Sequence, residues 1–472
     1  MLVEPDRTRR YRLFKYVPKP LDSFVGPRHL IRQMIDERID FGGLAAPLAF
    51  AFSQDTRHPA IPPETLVRAL VVSYVYRIPS LRRLCGAIQE NLAFWWFLCL
   101  GLEDEVFDHS TLTVFVNRIG VRGFSTPLQR LNHDLARVGL LSTEAFVDSS
   151  LVQAAVSSSS VNPTSLTPEE FARMAAVENG VWAGREVTVV SRGRRRPIRL
   201  VRRYYQDAKG RLPLNHRDSD ARWRRTGGKP ARLSYKQHVV VDGGGFILSQ
   251  FVTNSVTRDA DPVPGLLDKT PVPLRVLTAD TGHSVGVLRR LLLERRIETH
   301  IPPHTRHREH RDERRGFHLL DQTTMICPTG NALRRSTFYK KSATWLYSAR
   351  VADCQACERR ESCLPPKSKR RFVELSEYEA EFQLAEVCNA QNRHRRLMRR
   401  RKSVVEGVSA HLKDMGLRMA HRFGLAAVAS EGYLVALAHN ILKAVSRRFL
   451  PQAETQAEHS SLLHCGAARF SP

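Results

Sequence analysis

The sequence predicts an α/β core built on a mixed sheet, preceded by an all-α N-terminal domain and interrupted by a cysteine-containing insertion. Three observations carry this: an apolar period of three and four through the first 140 or so residues, a change to period two at Ala145, and four cysteines gathered between Cys327 and Cys363. In the first stretch, Pro63 and Glu64 open the segment ETLVRALVVSYVYRI, and Ser80 precedes a second periodic segment ending at Leu102. Phe94, Trp95, Trp96 and Phe97 lie in a continuous apolar run and are expected in the core. FDHSTLTVFVNRIG offers Asp108 or Ser110 as an N-cap, with Leu112, Phe115 and Val116 turned inward.

From Ala145, AFVDSSLVQAAV is a short strand, and YKQHVVVDGGGFILSQFVTNSV is a hairpin turning at Gly243 to Gly245. DADPVPGLLDK is a short helix, LRVLTAD a buried strand, and SVGVLRRLLLERRIE an amphipathic helix. ETHIPP adds an edge strand that Pro302 and Pro303 terminate. Strong helices follow near Val404 to Met419 and Gly432 to Val445. The expected division is an all-helical domain over 1–140, a core over 145–300 and 391–446 carrying a basic insertion at 158–234, a cysteine insertion over 301–390, and a flexible polar tail over 447–472.

Composition narrows function. The chain has 472 residues, with 73 Lys and Arg against 47 Asp and Glu, a net charge of +26, and 42% hydrophobic residues. That is enough apolar material for two or three domains, and it excludes wholesale disorder. The apolar run Leu92 to Leu102 is about half of the roughly 20 residues a spanning helix needs, and Glu431, His439 and Asn440 break the later one, so no membrane segment is expected. The N-terminus shows no secretion signal, which makes a cytoplasmic location the expectation. Charge is concentrated: fifteen Lys or Arg against three acids between Arg192 and Arg232, read as a loop-rich insertion, and seven Lys or Arg in ten positions from Arg393 to Lys402. A third, mixed concentration spans His304 to Arg315. A polyanion is the implied partner, since each neutralised phosphate releases counterions. Arg194, Arg195, Arg196, Arg202, Arg203, Arg224 and Arg225 are candidate phosphate contacts, with Tyr204, Tyr205 and Trp223 as stacking partners for unpaired bases.

Asp148 lies in a strand beside Ser149 and Ser150, and Asp280 ends another strand before a glycine turn. Open α/β sheets place their sites at such strand ends. Metal-dependent phosphoryl transfer needs oxygen ligands that converge on one or two Mg²⁺ ions, and two aspartates on neighbouring strands supply a bridging pair. Taken singly, either aspartate is better explained as a turn or cap residue. Glu406 is the candidate third acid: Arg399, Lys402, Glu406 and Lys413 are spaced at minus seven, minus four, zero and plus seven and share one helical face. A solvated helix with surface ion pairs produces the same pattern.

Cys327 stands in ICPTG, and Cys354, Cys357 and Cys363 read C-x2-C-x5-C. Four thiolates suit tetrahedral Zn²⁺, and C-x2-C lets two sulfurs share an ion through a tight turn. The spacing also fits reduced, buried or redox-active thiols.

Taken in order, FVDSSLVQAAVSSSS, SDARW, YKQHVVVDGGGFI, VLTADTGHS and the VVEGVSAHLK helix resemble bacterial insertion-sequence transposases of the DDE class. The N-terminal HPAIPPETLVRALVVSYVYRIPSLRRL, NLAFWWFLCLGL and DHSTLTVFVNR are similar to the helical domain of the same enzymes, in the insertion-sequence group numbered eleven eighty-two. The resemblance spans about Pro18 to Ala444. It implies a ribonuclease H-like core with Asp148, Asp280 and Glu406 as catalytic metal ligands, two Mg²⁺ (or Mn²⁺) per site, cleavage at transposon ends and strand transfer into target DNA. It also implies double-stranded DNA partners (terminal inverted repeats and target), a homodimer or higher oligomer on DNA, and residence in the bacterial cytosol with the nucleoid. Arg399 and Lys402 stand where related enzymes often carry Tyr and Arg, and His283 where Tyr is usual, while Glu406 and Lys413 match. Lys402 loses the bidentate fork an arginine offers. Two rival readings share the basic surface: a catalytically inactive, transposase-derived DNA-binding regulator, and a ribonuclease H-like nuclease that cuts without joining.

Overall fold

The computed structural model describes residues 25–26, 28–35, 39–51, 61–101, 104–156, 183–191, 194–202, 218, 220–224, 232–304, 316–340 and 342–447. The chain divides into two compact units, Met1–Leu131 with Tyr433–Pro472, and Asn132–Gly432.

The first unit is helical. It contains α1 (Leu30–Ile35), α2 (Phe41–Ala45), α3 (Pro63–Val75), α4 (Leu81–Glu90), α5 (Leu92–Phe97) and most of α6 (His109–Arg137). Pro63 takes the first turn of α3, where its missing N–H costs nothing. The Ser80 and Asn91 side chains cap α4 and α5 by accepting from Arg83 N and Ala93 N. Asp108 caps α6 through Ser110 N at 2.8 Å, and Leu112, Phe115 and Val116 are buried as expected. Gly120, at φ 58°, breaks α6 into two helical segments. Phe94 and Phe97 enter the core, while Trp95 and Trp96 stay partly exposed at its edge. Arg68 is buried in α3 by bonding Glu64 and the Phe97 carbonyl (3.1 Å) and by stacking over Phe41 and Phe97.

The second unit is α/β. Its main sheet comprises β1 (Glu144–Gln153), β4 (Arg222–Arg224), β5 (Arg232–Asp242), β6 (Ile247–Asn254), β7 (Val276–Thr278) and β8 (Glu298–His300). β5 pairs antiparallel with β1, β4 and β6, while β7 runs parallel to β1 and β8 parallel to β7. The β5–β6 turn closes on Asp242, which accepts from Phe246 N at 2.7 Å, with Gly245 at φ 85° supplying the left-handed position. Ala145, Val147, Val240, Leu277 and Ala279 pack on one face against α7 (Val263–Leu267) and α8 (Gly286–Glu294). Side chains alternate along a strand, so Phe146 and Asp148 emerge on the other face. Arg400 and Arg401 of α12 (Asn392–Leu412) lie there, within reach of Phe146 and Asp148.

A second, antiparallel sheet joins β9 (His318–Leu319), β10 (Thr324–Ile326), β11 (Ala332–Tyr339), β12 (Thr344–Ala349) and β13 (Phe372–Ser376). Met325, Leu333, Tyr347, Ala349 and Val373 form its small core. Two short helices, α9 (Val351–Gln355) and α10 (Arg360–Cys363), lie between its last two strands, and α11 (Glu379–Ala390) leads into α12. The final helix, α13 (Leu425–Ser446), crosses the boundary between the units. By length and composition it could cross a membrane, but 78% of its apolar window is buried, and Glu431, His439 and Asn440 are buried with it.

One expectation is corrected. The stretch from Arg192 to Arg232 is not simply loop-rich: β2 (Ala183–Ser191) and β3 (Arg194–Arg202) pair as an antiparallel hairpin, and β4 joins the main sheet. Ile198, Leu200 and their β-branched neighbours provide a strand period that the density of arginines hides in the sequence.

Candidate active site

Asp148 sits at the middle of β1, opposite Val239 of β5, and Asp280 follows β7, the parallel neighbour of β1. The two carboxylates share one cation. Arg401 Nη2 lies 2.7 Å from Asp148 Oδ1 and 3.6 Å from Asp280 Oδ2, and its Nε donates to the Val147 carbonyl at 3.3 Å. The arginine side chain is only 13% exposed. It belongs to the buried stripe of α12 formed by Leu397, Val405, Val408 and Leu412, so helical phase alone aims it at the sheet. Arg400 fastens the same helix by pairing with Glu144 at 2.5 Å and donating to the Gly243 carbonyl at 3.0 Å. A Cβ at Gly243 would meet that guanidinium at 2.6 Å, so a larger residue there would displace the Arg400 side chain.

Asp280 caps the turn after β7, accepting from Gly282 N at 3.1 Å and from the His283 ring at 2.7 Å. His283 is 1% exposed, and its other ring nitrogen is buried with no hydrogen-bond partner among the described residues. The environment splits the two aspartates. Burial pushes the Asp148 carboxyl above its usual range, and Asp280 adds to the rise against the pull of Arg401. Burial also opposes ionisation of Asp280, but the hydrogen bond and charge of His283, with Arg401, outweigh it and hold that carboxyl low.

The opposite face of the sheet carries a polar layer that sequence reading missed. Ser149 Oγ donates to Asp259 Oδ1 at 2.6 Å, and Lys236 Nζ donates to the same oxygen at 2.9 Å. His238, opposite Ser149 in the strand pair, bonds Thr253. Burial, helped by Lys236, lowers its pKa to about 3 and keeps it neutral. A signal existed: Lys236 and His238 stand two apart in YKQHVVV, which puts both on one face of a strand that runs into an apolar stretch. Arg401 was legible in the same way, as the cation that falls within an apolar helical stripe.

The structure brings Asp148 and Asp280 together and leaves Glu406 apart from them. Glu406 is exposed on α12, five residues and so about 140° around the axis from Arg401. Among the described residues no hydrogen bond or ion pair reaches it, and no three His, Cys, Asp or Glu side chains are close enough to hold a metal ion. Arg399 and Lys402 are exposed on the same side, and Lys413 is partly buried where the helix widens into a π turn (Lys413–Leu417). Arg224 is exposed at the end of β4. Arg194, Arg195, Arg196 and Arg202 lie in β3, while Arg203, Arg225 and the stretches 305–315 and 448–472 lie outside the described residues.

The four thiols face one another at the end of the second sheet. Burial raises the Cys363 thiol, Arg371 lowers it, and Cys354, Cys357 and Cys327 raise it further. Thr329 Oγ1 links Cys327 (3.1 Å) to Cys357 (3.7 Å). The sulfurs are within electrostatic reach but not closed to ligand distance.

A mixed α/β fold with a partly buried carboxylate pair beside a basic helix defines a candidate phosphoryl-transfer protein. Comparison with known proteins narrows the class. Residues 19–118 match the family described as Transposase domain (DUF772), and residues 326–445 match the Transposase DDE domain. Together they support a DDE transposase. The second match contains Glu406 and the four cysteines, whereas Asp148 and Asp280 lie between the two matched segments. No curated protein matches the chain. Among solved structures, the cryo-EM structure of the piggyBac transposase synaptic complex with hairpin DNA matches at 11% identity, covering 93% of this chain and 85% of that one, at a TM-score of 0.25. A score that low carries no structural argument.

Proposed function

We propose that the chain is a DDE transposase of the bacterial insertion-sequence type, which binds transposon ends and catalyses metal-dependent strand cleavage and strand transfer. The observation that carries this is the convergence of Asp148 and Asp280, from parallel neighbouring strands, on a single cationic position. The strand succession β6-β5-β1-β7-β8, three antiparallel members followed by two parallel ones, supports a ribonuclease H-like core.

The pair fits a divalent cation, because a guanidinium already stands between its oxygens. Asp148 and Asp280 would hold Mg²⁺ or Mn²⁺, two ions per site in the proposed set; Glu406 is the third acid of that set and stands apart from the pair on the exposed side of α12. When bound, such ions polarise the scissile phosphate and activate water or a 3′-hydroxyl. Arg401 neutralises the carboxylates until then, and His283 fixes the rotamer of Asp280. Arg399, Lys402 and Lys413 line the approach to Glu406 as DNA backbone contacts, with Arg224 and the arginines around β3 forming the remainder of the track. Terminal inverted repeats and target duplex are the partners, held by a dimer or larger assembly in the bacterial cytosol. Cys327, Cys354, Cys357 and Cys363 would hold a structural Zn²⁺: they are four soft donors already gathered on one sheet edge.

The test compares wild type with Asp148→Ala and Glu406→Ala on DNA carrying the element's ends. Loss of cleavage and strand transfer on the order of a thousandfold is expected, with end binding nearly intact, since the metal supplies several kcal/mol of transition-state stabilisation. Undiminished cleavage by either variant rejects the assignment. The exposed Glu406 and the Arg401-bound pair favour a second reading, a DNA-binding regulator without catalysis. Metal-independent end binding by a wild-type protein that cleaves nothing would establish it.

A further inference from the structure

Asp259 contacts neither carboxylate of the pair, yet it touches the backbone segment that carries each. Ser149 follows Asp148, so its side chain leaves β1 on the opposite face of the sheet, where its hydroxyl donates to Asp259 Oδ1 at 2.6 Å. Lys236 Nζ holds that same oxygen at 2.9 Å and donates to the Thr257 carbonyl at 2.7 Å, which anchors Asp259 to β5 and to its own loop. The second oxygen packs on the turn that Asp280 caps: a Cβ built at Gly282 would stand 2.9 Å from Asp259 Oδ2 and 3.2 Å from Asp280 Oδ1. Lys236 is 4% exposed and Asp259 23%, so the three-way contact is largely shielded from water.

One side chain is therefore hydrogen-bonded to the residue beside the first aspartate and lies close enough to the turn of the second to leave no room for a Cβ at Gly282. We propose that Asp259 is a positioning residue that sets the gap between Asp148 and Asp280 from behind the sheet. Its Oδ1 is committed to two donors, and it acts through Ser149 and Gly282. Groups that orient metal ligands from outside the coordination sphere govern affinity strongly, because the ligands must be held at one separation before the ion arrives. The inference rests on the reading of Asp148 and Asp280 as metal ligands.

The test is Mn²⁺ titration of the full-length protein, with free ion followed by electron paramagnetic resonance and the thermal midpoint recorded alongside. Asp148→Ala, expected to lose Mn²⁺ binding, tests the pair itself. Asp259→Ala is expected to weaken Mn²⁺ about tenfold or more, whereas Asp259→Asn, whose amide oxygen still accepts from Ser149 and Lys236, stays within about threefold of wild type. Ser149→Ala, which deletes a single hydroxyl, is expected to fall between them and carries the test if Asp259→Ala does not fold. Mn²⁺ affinity lost in Asp148→Ala but unchanged in the folded Asp259→Ala and Ser149→Ala variants overturns the inference alone. Equal losses in Asp259→Asn and Asp259→Ala overturn it too, since charge would then matter in place of position. Affinity untouched by Asp148→Ala overturns the carboxylate-pair reading on which the inference stands.

Discussion

The carboxylate pair and the thiol cluster are both candidate metal sites in one unit, and they are held in opposite ways. Asp148 and Asp280 are braced on every side: by Arg401 from α12, by His283 within the turn, and by the Ser149–Asp259–Lys236 layer behind the sheet. Of the four thiols only Cys327 and Cys357 are bridged, by the Thr329 hydroxyl, and all four lie on turns and helices of four or five residues beside a core of five buried side chains. A pre-formed site holds its charges with its own counterion until metal replaces it, whereas a site on thin scaffolding relies on the ion to complete the fold. The first is expected to be stable without metal and the second is not.

The largest effect should come from the thiol side. Structural zinc contributes roughly 10 kcal/mol or more to small domains of this kind. Chelation, or Cys357→Ser, is therefore expected to expose the β9–β13 sheet to proteolysis while β1, β5 and β7 stay protected from hydrogen exchange. Resistance of that sheet to a chelator, with no zinc found by elemental analysis, would assign the thiols to packing or redox chemistry.

Arg401→Ala should have the next largest effect. Removing one partner of a buried pair leaves Asp148 uncompensated, at a cost of about 3 kcal/mol, so the metal-free midpoint in denaturant is expected to fall. With the competing cation gone, Mg²⁺ should raise stability more in this variant than in wild type. A smaller metal response than in wild type would mean that Arg401 organises the site and does not hold its place.

The smallest effect is a pH dependence in the layer behind the pair. His238 faces Lys236, Asp259 and His283, and burial lowers its pKa from 6.5 to about 3. An unfolded chain takes up that proton below pH 6.5 and the folded chain does not, so stability is full above 6.5 and declines as pH falls toward 3. At pH 5 the loss is about 2 kcal/mol. Urea midpoints for wild type and His238→Gln should diverge between pH 7 and 5, with the steeper decline in wild type; parallel curves would place the acid sensitivity elsewhere.

Much of the architecture was legible. Period two marked β1 and the β5–β6 hairpin, period three to four marked α3, α4, α8 and α12, and the caps at Ser80 and Asp108 were visible as residue types. The β2–β3 hairpin was not, because the run Arg194 to Arg196, with Arg199 and Arg202, resembles a solvated loop when the partner strand is unseen. Asp148 and Asp280 stood out as acids at strand positions, but the stripe containing Glu406 drew attention to the exposed side of α12, and the cation that meets the aspartates is its neighbour Arg401.

By itself the sequence determined the order of the main helices and of the strands β1, β5, β6 and β7, the excess of positive charge, and the acids and thiols available for chemistry, since periodicity and residue type are local properties. Which charges meet was decided only by tertiary structure. Packing α12 on β1 fixes the rotation of the helix through Leu397, Val405, Val408 and Leu412, and that rotation turns Arg401 inward and Glu406 outward. Apolar burial sets the phase of the helix, and the phase sets which polar group reaches the site.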